Sequence, residues 1–276
     1  MRCADLRLAW LVLLTAWAPR PDALAAEPPL QPKPAATISL LVPAYFYPAG
    51  EGLKDWNRLI AAAAEVPIVA IANPASGPGE KPDPNHAMII GRAARAGVTV
   101  VGYVGTVYAK KPLAQAKAEV DRWMEFYPAI GGFFFDEQAS DGEQLAYYRE
   151  LFDYARQKTH DGLVASNPGV PCDVAYINTA RADVVCIFEN ERGYDDFTPP
   201  TAWQDNERRH AAAVPFRTAD TRQMHDRLRR AVELKLGYFY ATDDVGPNPW
   251  DRLPTYWDDE VAAIRALTAA HKPRKS

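Results

Sequence analysis

The chain is poor in the residues that carry metal, redox and thiol chemistry. Its 276 residues include three cysteines and five histidines. Cys3 stands at the far N-terminal end, and the remaining two, Cys172 and Cys186, are too few for a disulfide scaffold. Cys186 lies in an apolar run, so both are expected as buried thiols. The histidines, at 86, 160, 210, 225 and 271, show no metal-ligand spacing. No metal and no cofactor are expected. Lys and Arg form no basic block and the formal net charge is -4, which argues against a nucleic-acid partner and favours a neutral or cationic substrate over an anionic one. A G-x-S-x-G elbow, a P-loop and a Gly-rich dinucleotide fingerprint are all missing. Beyond the first two dozen residues no apolar run approaches the ~20 residues of a membrane span, so no integral membrane segment is expected.

The short apolar run that does occur, Leu8 to Trp17, follows Arg2 and Arg7 and precedes Ala23-Leu24-Ala25, a small-x-small pattern. Together these predict a signal peptide over residues 1–26 and a secreted or periplasmic protein. Residues 27–37, "EPPLQPKPAAT", are Pro-rich and read as a linker. The remainder, 38–271, is long enough for one large α/β domain.

Within it, eight β-rich runs fall at 38–47, 67–74, 98–106, 130–137, 162–168, 182–189, 214–220 and 237–244. Between them lie stretches such as "LKDWNRLIAAAAE", "LAQAKAEVDRWMEFY" and "TRQMHDRLRRAVELK", whose apolar residues recur at three and four. Near-continuous apolar strands separated by amphipathic helices indicate a parallel sheet covered on its outer side. Eight such units predict a closed (β/α)8 barrel, whose functional residues gather at the C-terminal strand ends.

At those ends stand carboxylates. "GGFFFDEQAS" runs three phenylalanines straight into Asp136 and Glu137, and burying an unpaired carboxylate costs several kcal/mol. Helix capping is the ordinary explanation. Here, however, Ser140 and Glu143 have capping-box spacing, which leaves Asp136 and Glu137 without that duty. "VVCIFENE" likewise ends in Glu189 well ahead of the next helix signal. Two carboxylates facing each other across a barrel mouth are what glycoside cleavage requires. The residues alone leave open another hydrolase or a ligand-binding barrel. Strand alternation does not decide which of Asp136 and Glu137 faces Glu189.

The other strand ends offer Tyr45, Tyr47, Asn73, Tyr103, Thr106, Tyr108, Asn167, Tyr240, Asp243 and Trp250 as candidate substrate contacts. Aromatics suit sugars because a ring gives a flat apolar face with a polar group at its rim. Each of these residues also has a bland reading in turn formation or core filling. The loop acids Glu191, Asp195, Asp196, Asp243 and Asp244 would at a barrel mouth favour a cationic chain; their bland reading is as solvated loop acids of no consequence.

The stretches "VPAYFYP", "ANPASGPG", "GYVGTVYA", "GGFFFDE", "SNPG", "VVCIFE" and "GYFYATDD…LPTYW", in this order, resemble the spherulin-4 family over residues 40–257. That resemblance implies a (β/α)8 glycoside hydrolase acting on α-1,4-linked N-acetylgalactosamine or galactosamine exopolysaccharide of biofilms. It further implies Asp136 as nucleophile, Glu189 as acid/base and Glu137 as a supporting carboxylate. Where the family often has a polar residue, this chain has Gly105. The alternative expectation is a non-catalytic barrel of the same family that binds glycan or has a structural part in the envelope.

Overall fold

The computed structural model describes residues 38–270. The chain divides into two units, residues 1–34 and 35–276. The expected signal peptide, the linker and residue 271 lie outside the described residues.

The second unit is a closed barrel of eight strands in sequence order, every neighbouring pair parallel. The strands are β1 (Ser39–Ala44), β2 (Ile68–Ala72), β3 (Thr99–Gly105), β4 (Gly132–Asp136), β5 (Leu163–Asn167), β6 (Val184–Phe188), β7 (Ala211–Ala213) and β8 (Tyr238–Phe239). Helices α1 (Gly50–Ala62), α2 (Pro84–Arg95), α3 (Leu113–Phe126), α4 (Leu145–Thr159), α5 (Ala175–Asn178), α6 (Asp205–Arg208), α7 (Thr221–Glu233) and α8 (Trp257–Ala270) separate or follow them. This is the expected (β/α)8 fold. Among the described residues no helix is long and apolar enough to cross a membrane.

The helices dock because the strands' outward rows are large and apolar. Phe135 of β4 lies 5.2 Å from Phe152 of α4, ring centroid to ring centroid. Trp123 of α3 is fully buried over β3 and donates its indole N–H to the Tyr103 carbonyl at 2.8 Å. Gly102 makes that approach possible: a Cβ there would stand 2.6 Å from the Trp123 ring. Truncating Trp123 to alanine removes this whole contact, a loss of about 3–5 kcal/mol for a buried aromatic.

Two local expectations are corrected. The seventh strand is Ala211–Ala213, not 214–220. Three alanines read as helix former rather than strand, whereas the ladder ends at Ala213, just before the "VPFRTAD" run, in which Pro215 has no N–H to donate. Ser140 does not cap α4. Asp141 takes that part, its side chain accepting from the Glu143 N–H at 3.0 Å to start a 3-10 turn over Gly142–Gln144 that leads into α4. Asp136 and Glu137 are therefore clear of capping.

Candidate active site

Register places the first carboxylate. Gly105, Asp136 and Asn167 are in line across β3, β4 and β5, one layer above Tyr103 and Phe134. Tyr103 meets Phe134 at 6.4 Å and the edge of Tyr45 at 5.9 Å inside the barrel, so Asp136, two residues after Phe134, also faces inward.

Glu189 reaches the same space through an irregularity. Cys186 pairs with Ala212 and Phe188 with Ala213, so two steps on β6 match one on β7. Without this bulge, alternation from the inward Cys186 would turn Glu189 outward. With it, Phe188 packs outside against Tyr194 and Phe197, at 4.9 and 5.0 Å, and Glu189 turns into the mouth.

Glu137 solves the alternation problem differently. Its φ of 54° is left-handed, a conformation that costs a non-glycine residue about 1 kcal/mol or more. The kink lets its carboxylate bend back over the strand tip, where the Val107 N–H donates to it at 3.2 Å. Its carbonyl accepts from the Tyr108 N–H at 2.7 Å and the Thr106 hydroxyl at 2.9 Å.

One amide joins the two facing acids. Asn167 Nδ2 donates to Asp136 Oδ1 at 2.8 Å and also to Glu189 Oε2. Sharing one nitrogen holds the two oxygens within roughly 6 Å, twice a hydrogen-bond length. The Tyr103 hydroxyl is a further partner of Asp136. Burial and then repulsion by Asp136 push Glu189 up to about 7, while hydrogen bonds from Asn167 and Trp250 pull it partway back. Asp136 thus sits among hydrogen-bond donors and Glu189 in drier surroundings. Tyr45 and Cys186, packed near both acids, are raised well above their ordinary values by burial, so the Cys186 thiol stays neutral and inert. Cys172 and Cys186 are free and buried.

Of the candidate residues, Asp136, Glu137, Glu189, Tyr45, Tyr103, Asn167 and Trp250 are brought together. Tyr47 and Tyr108 stand on the rim, 49% and 53% exposed. Tyr47 is tied at its hydroxyl to Asp83 at 3.0 Å and Asn85 at 2.8 Å. Tyr108 is the middle of three consecutive left-handed residues, Val107 to Ala109.

Four candidates have structural work instead. Asn73 accepts from the Gly77 N–H at 2.9 Å and shapes its own loop. Thr106 is fully buried, its hydroxyl spent on the Asp136 and Glu137 carbonyls and on Tyr148. Tyr240 is fully buried against Trp250 and Trp257. Asp243 is held by Arg252 at 2.7 Å and Thr255 at 2.6 Å.

The acidic field expected from the loops is largely balanced. Glu191 pairs with Arg217, Asp195 with Arg227, and Asp243 and Asp244 with Arg252. Tyr148, which no strand-end pattern marks, braces the strand tip: its hydroxyl meets Thr106 at 2.8 Å and accepts from the Ala139 N–H at 3.0 Å. On a helix, such a tyrosine reads as core. At Gly105 a Cβ would lie 3.5 Å from the Tyr103 hydroxyl and 3.7 Å from Glu137 Oε2, so a small side chain fits there. Among the described residues no group of three His, Cys, Asp or Glu is arranged to hold a metal ion.

A family model described as "Spherulation-specific family 4" matches residues 39–264. Spherulin-4 of Physarum polycephalum is 30% identical over 243 residues, covering 83% of this chain and 71% of that protein. Sph3 of Aspergillus clavatus, solved in complex with GalNAc, superposes with a TM-score of 0.70 at 25% identity, over 83% of this chain and 98% of its own. The cyclic α-maltosyl-(1→6)-maltose hydrolase of Arthrobacter globiformis shares the fold, with a TM-score of 0.54 at 12% identity over 87% and 85% of the two chains.

Proposed function

The chain belongs to the spherulation-specific family 4, and from that premise we propose that it is a secreted or periplasmic glycoside hydrolase. It cuts within α-1,4-linked N-acetylgalactosamine or galactosamine exopolysaccharide and retains the anomeric configuration. The GalNAc bound by Sph3 supports the sugar class. The observation that carries the mechanism is the amide shared between Asp136 and Glu189. A spacing below roughly 6 Å suits direct attack by one carboxylate, whereas an inverting pair leaves about 6.5–9.5 Å for a water.

In the first step an Asp136 oxygen attacks the anomeric carbon, the bond to the leaving oxygen breaks, and the Glu189 proton passes to that oxygen. A glycosyl ester on Asp136 results. Its formation removes the negative charge that helps hold Glu189 near 7. Glu189 then holds a proton less tightly, and it persists as the carboxylate that a base requires. In the second step it takes a proton from water, the hydroxide oxygen bonds to the anomeric carbon, and Asp136 leaves as carboxylate. Glu137, anchored by the Val107 N–H, supplies a third carboxylate at the mouth that positions the sugar. Tyr45, Tyr103 and Trp250 line the sugar's site, with Tyr47 and Tyr108 on the rim for further residues of the polymer.

The experiment is release of reducing ends from partly deacetylated α-1,4-galactosamine polymer. Wild type is expected to generate them, while Asp136→Asn and Glu189→Gln each lose at least about 1,000-fold in rate. Binding of the polymer by all three proteins with no new reducing ends from any would establish the binding-only alternative.

A further inference from the structure

The tripeptide Asn167-Pro168-Gly169 leaves β5 and turns back on itself. The Gly169 N–H donates to Asn167 Oδ1 at 2.8 Å, which fixes the amide so that its nitrogen points at the acids. Gly169 has a φ of +67°, a left-handed value that glycine adopts without strain. Its carbonyl in turn accepts from the Glu189 backbone N–H at 3.0 Å. The turn therefore holds Glu189 by the main chain while the amide beside it holds the side chain. Asn167 is 8% exposed, and its two N–H bonds are both used, one on Asp136 and one on Glu189. No donor remains for a sugar, and the carbonyl oxygen already accepts from the Gly169 N–H.

We propose that Asn167 is a positioning residue rather than a substrate ligand: its locked amide sets the distance and relative orientation of the reacting oxygens of Asp136 and Glu189. This rests on the reading of those acids as the reacting pair. The physical reason is that two carboxyl groups at this spacing repel whenever both are charged, and a donor bonded to both is what makes the close pair tenable. As one acid is esterified and the other deprotonates, the same amide serves each state without moving, because both its hydrogens face acceptors throughout.

The amide also acts on the protonation of the pair. The titratable groups facing Glu189 are Asp136 from β4, Tyr45 just beyond β1, Tyr103 from β3 and Cys186 from β6. The Asn167 hydrogen bond favours the charged form of Glu189 against burial and against Asp136. Its loss therefore moves the Glu189 titration midpoint upward.

The test is a 13C NMR titration of the Glu189 carboxyl, which needs no substrate, in wild type, Asn167→Ala and Asn167→Ser. The serine variant keeps a side-chain oxygen to accept from the Gly169 N–H and adds no charge, so the turn survives even where Asn167→Ala unfolds. Both variants are expected to raise the midpoint by about one pH unit or more. On polymer, kcat is expected to fall about 100-fold while KM changes less than about 3-fold. A midpoint that stays in place in a folded variant overturns the proposal, as does a loss confined to KM. If the midpoint moves in a protein that never cleaves polymer, the amide's hold on the two acids stands and it is the hydrolase reading that fails. An active enzyme whose midpoint is unmoved in the variants upholds the hydrolase reading and removes the positioning role.

Discussion

Replacing Asp136 with asparagine removes one negative charge about a hydrogen-bond pair away from Glu189 and leaves the shape of the site almost unchanged. Glu189 stands at about 7 because of burial first and Asp136 second, so its midpoint must fall when that charge goes. Two unit charges about 6 Å apart in surroundings of effective dielectric near 20 repel by about 3 kcal/mol, equivalent to about two pH units. The mouth is partly open to water, which screens the pair, so a fall of about one to two pH units is expected. The sign is the opposite of that expected on removing Asn167, which takes away a donor rather than a charge. The assay is again the 13C titration of Glu189, run on Asp136→Asn beside wild type. This variant also mimics the charge state of the glycosyl ester, so the measured fall is the drive that turns Glu189 from acid to base between the two steps. A midpoint that remains near 7 would refute the coupling, and with it the account of how one residue serves both steps.

Other outcomes follow from particular side chains. In wild type, kcat/KM should decline above pH about 7 as Glu189 loses its proton, a limb that a pH-rate profile on polymer reads directly. Glu260 of α8 is fully buried and accepts from the Ala241 N–H at 2.8 Å; burial raises it from 4.5 to about 8. Below 4.5 it is neutral folded or unfolded. Between there and 8 only the unfolded chain gives up the proton, so the folded state loses about 1.4 kcal/mol per pH unit as pH rises. Urea denaturation should therefore find Glu260→Gln more stable than wild type at pH 7, by up to about 3 kcal/mol, and no different at pH 4. Equal gaps at both pH values would count against that assignment. Tyr108→Ala should raise KM for long polymer several-fold, from about 1 kcal/mol of lost stacking, and leave that for a short oligosaccharide unchanged. Steady-state kinetics on the two substrates separates rim contact from a structural part in the Val107–Ala109 loop.

The barrel is legible in the sequence because its strands are near-continuous apolar runs and its helices keep a period of three to four: the strands are buried on both faces, by the filled barrel within and the helices without, and each helix is covered on one face. Asp136 and Glu189 are legible as strand ends without capping duty, and the family motifs give them parts. What stays hidden depends on long-range geometry. Ala211–Ala213 forms a strand against its own propensity because its neighbours on both sides complete the barrel. The bulge between Cys186 and Phe188, on which the inward turn of Glu189 depends, leaves no mark in "VVCIFE". The left-handed Glu137 reads as an ordinary outward residue until its φ is seen. Asn167 reads as a sugar ligand because an asparagine before Pro-Gly at a strand end has the same appearance whether its amide faces solvent or two acids. Asp243 reads as free because Arg252, its partner, lies nine residues on in an irregular loop.

The division of labour between the adjacent acids is tested most directly by adding azide to Asp136→Ala with polymer as substrate. Removing the carboxylate leaves a space beside the anomeric carbon that a small anion enters. Azide then bonds to that carbon as Glu189 passes its proton to the leaving oxygen. Azide is expected to restore turnover to Asp136→Ala and to yield a β-glycosyl azide, inverted from the α-linkage, while Glu137→Ala gains nothing from azide. Rescue of Glu137→Ala instead, with Asp136→Ala near wild-type activity, would contradict that division of labour.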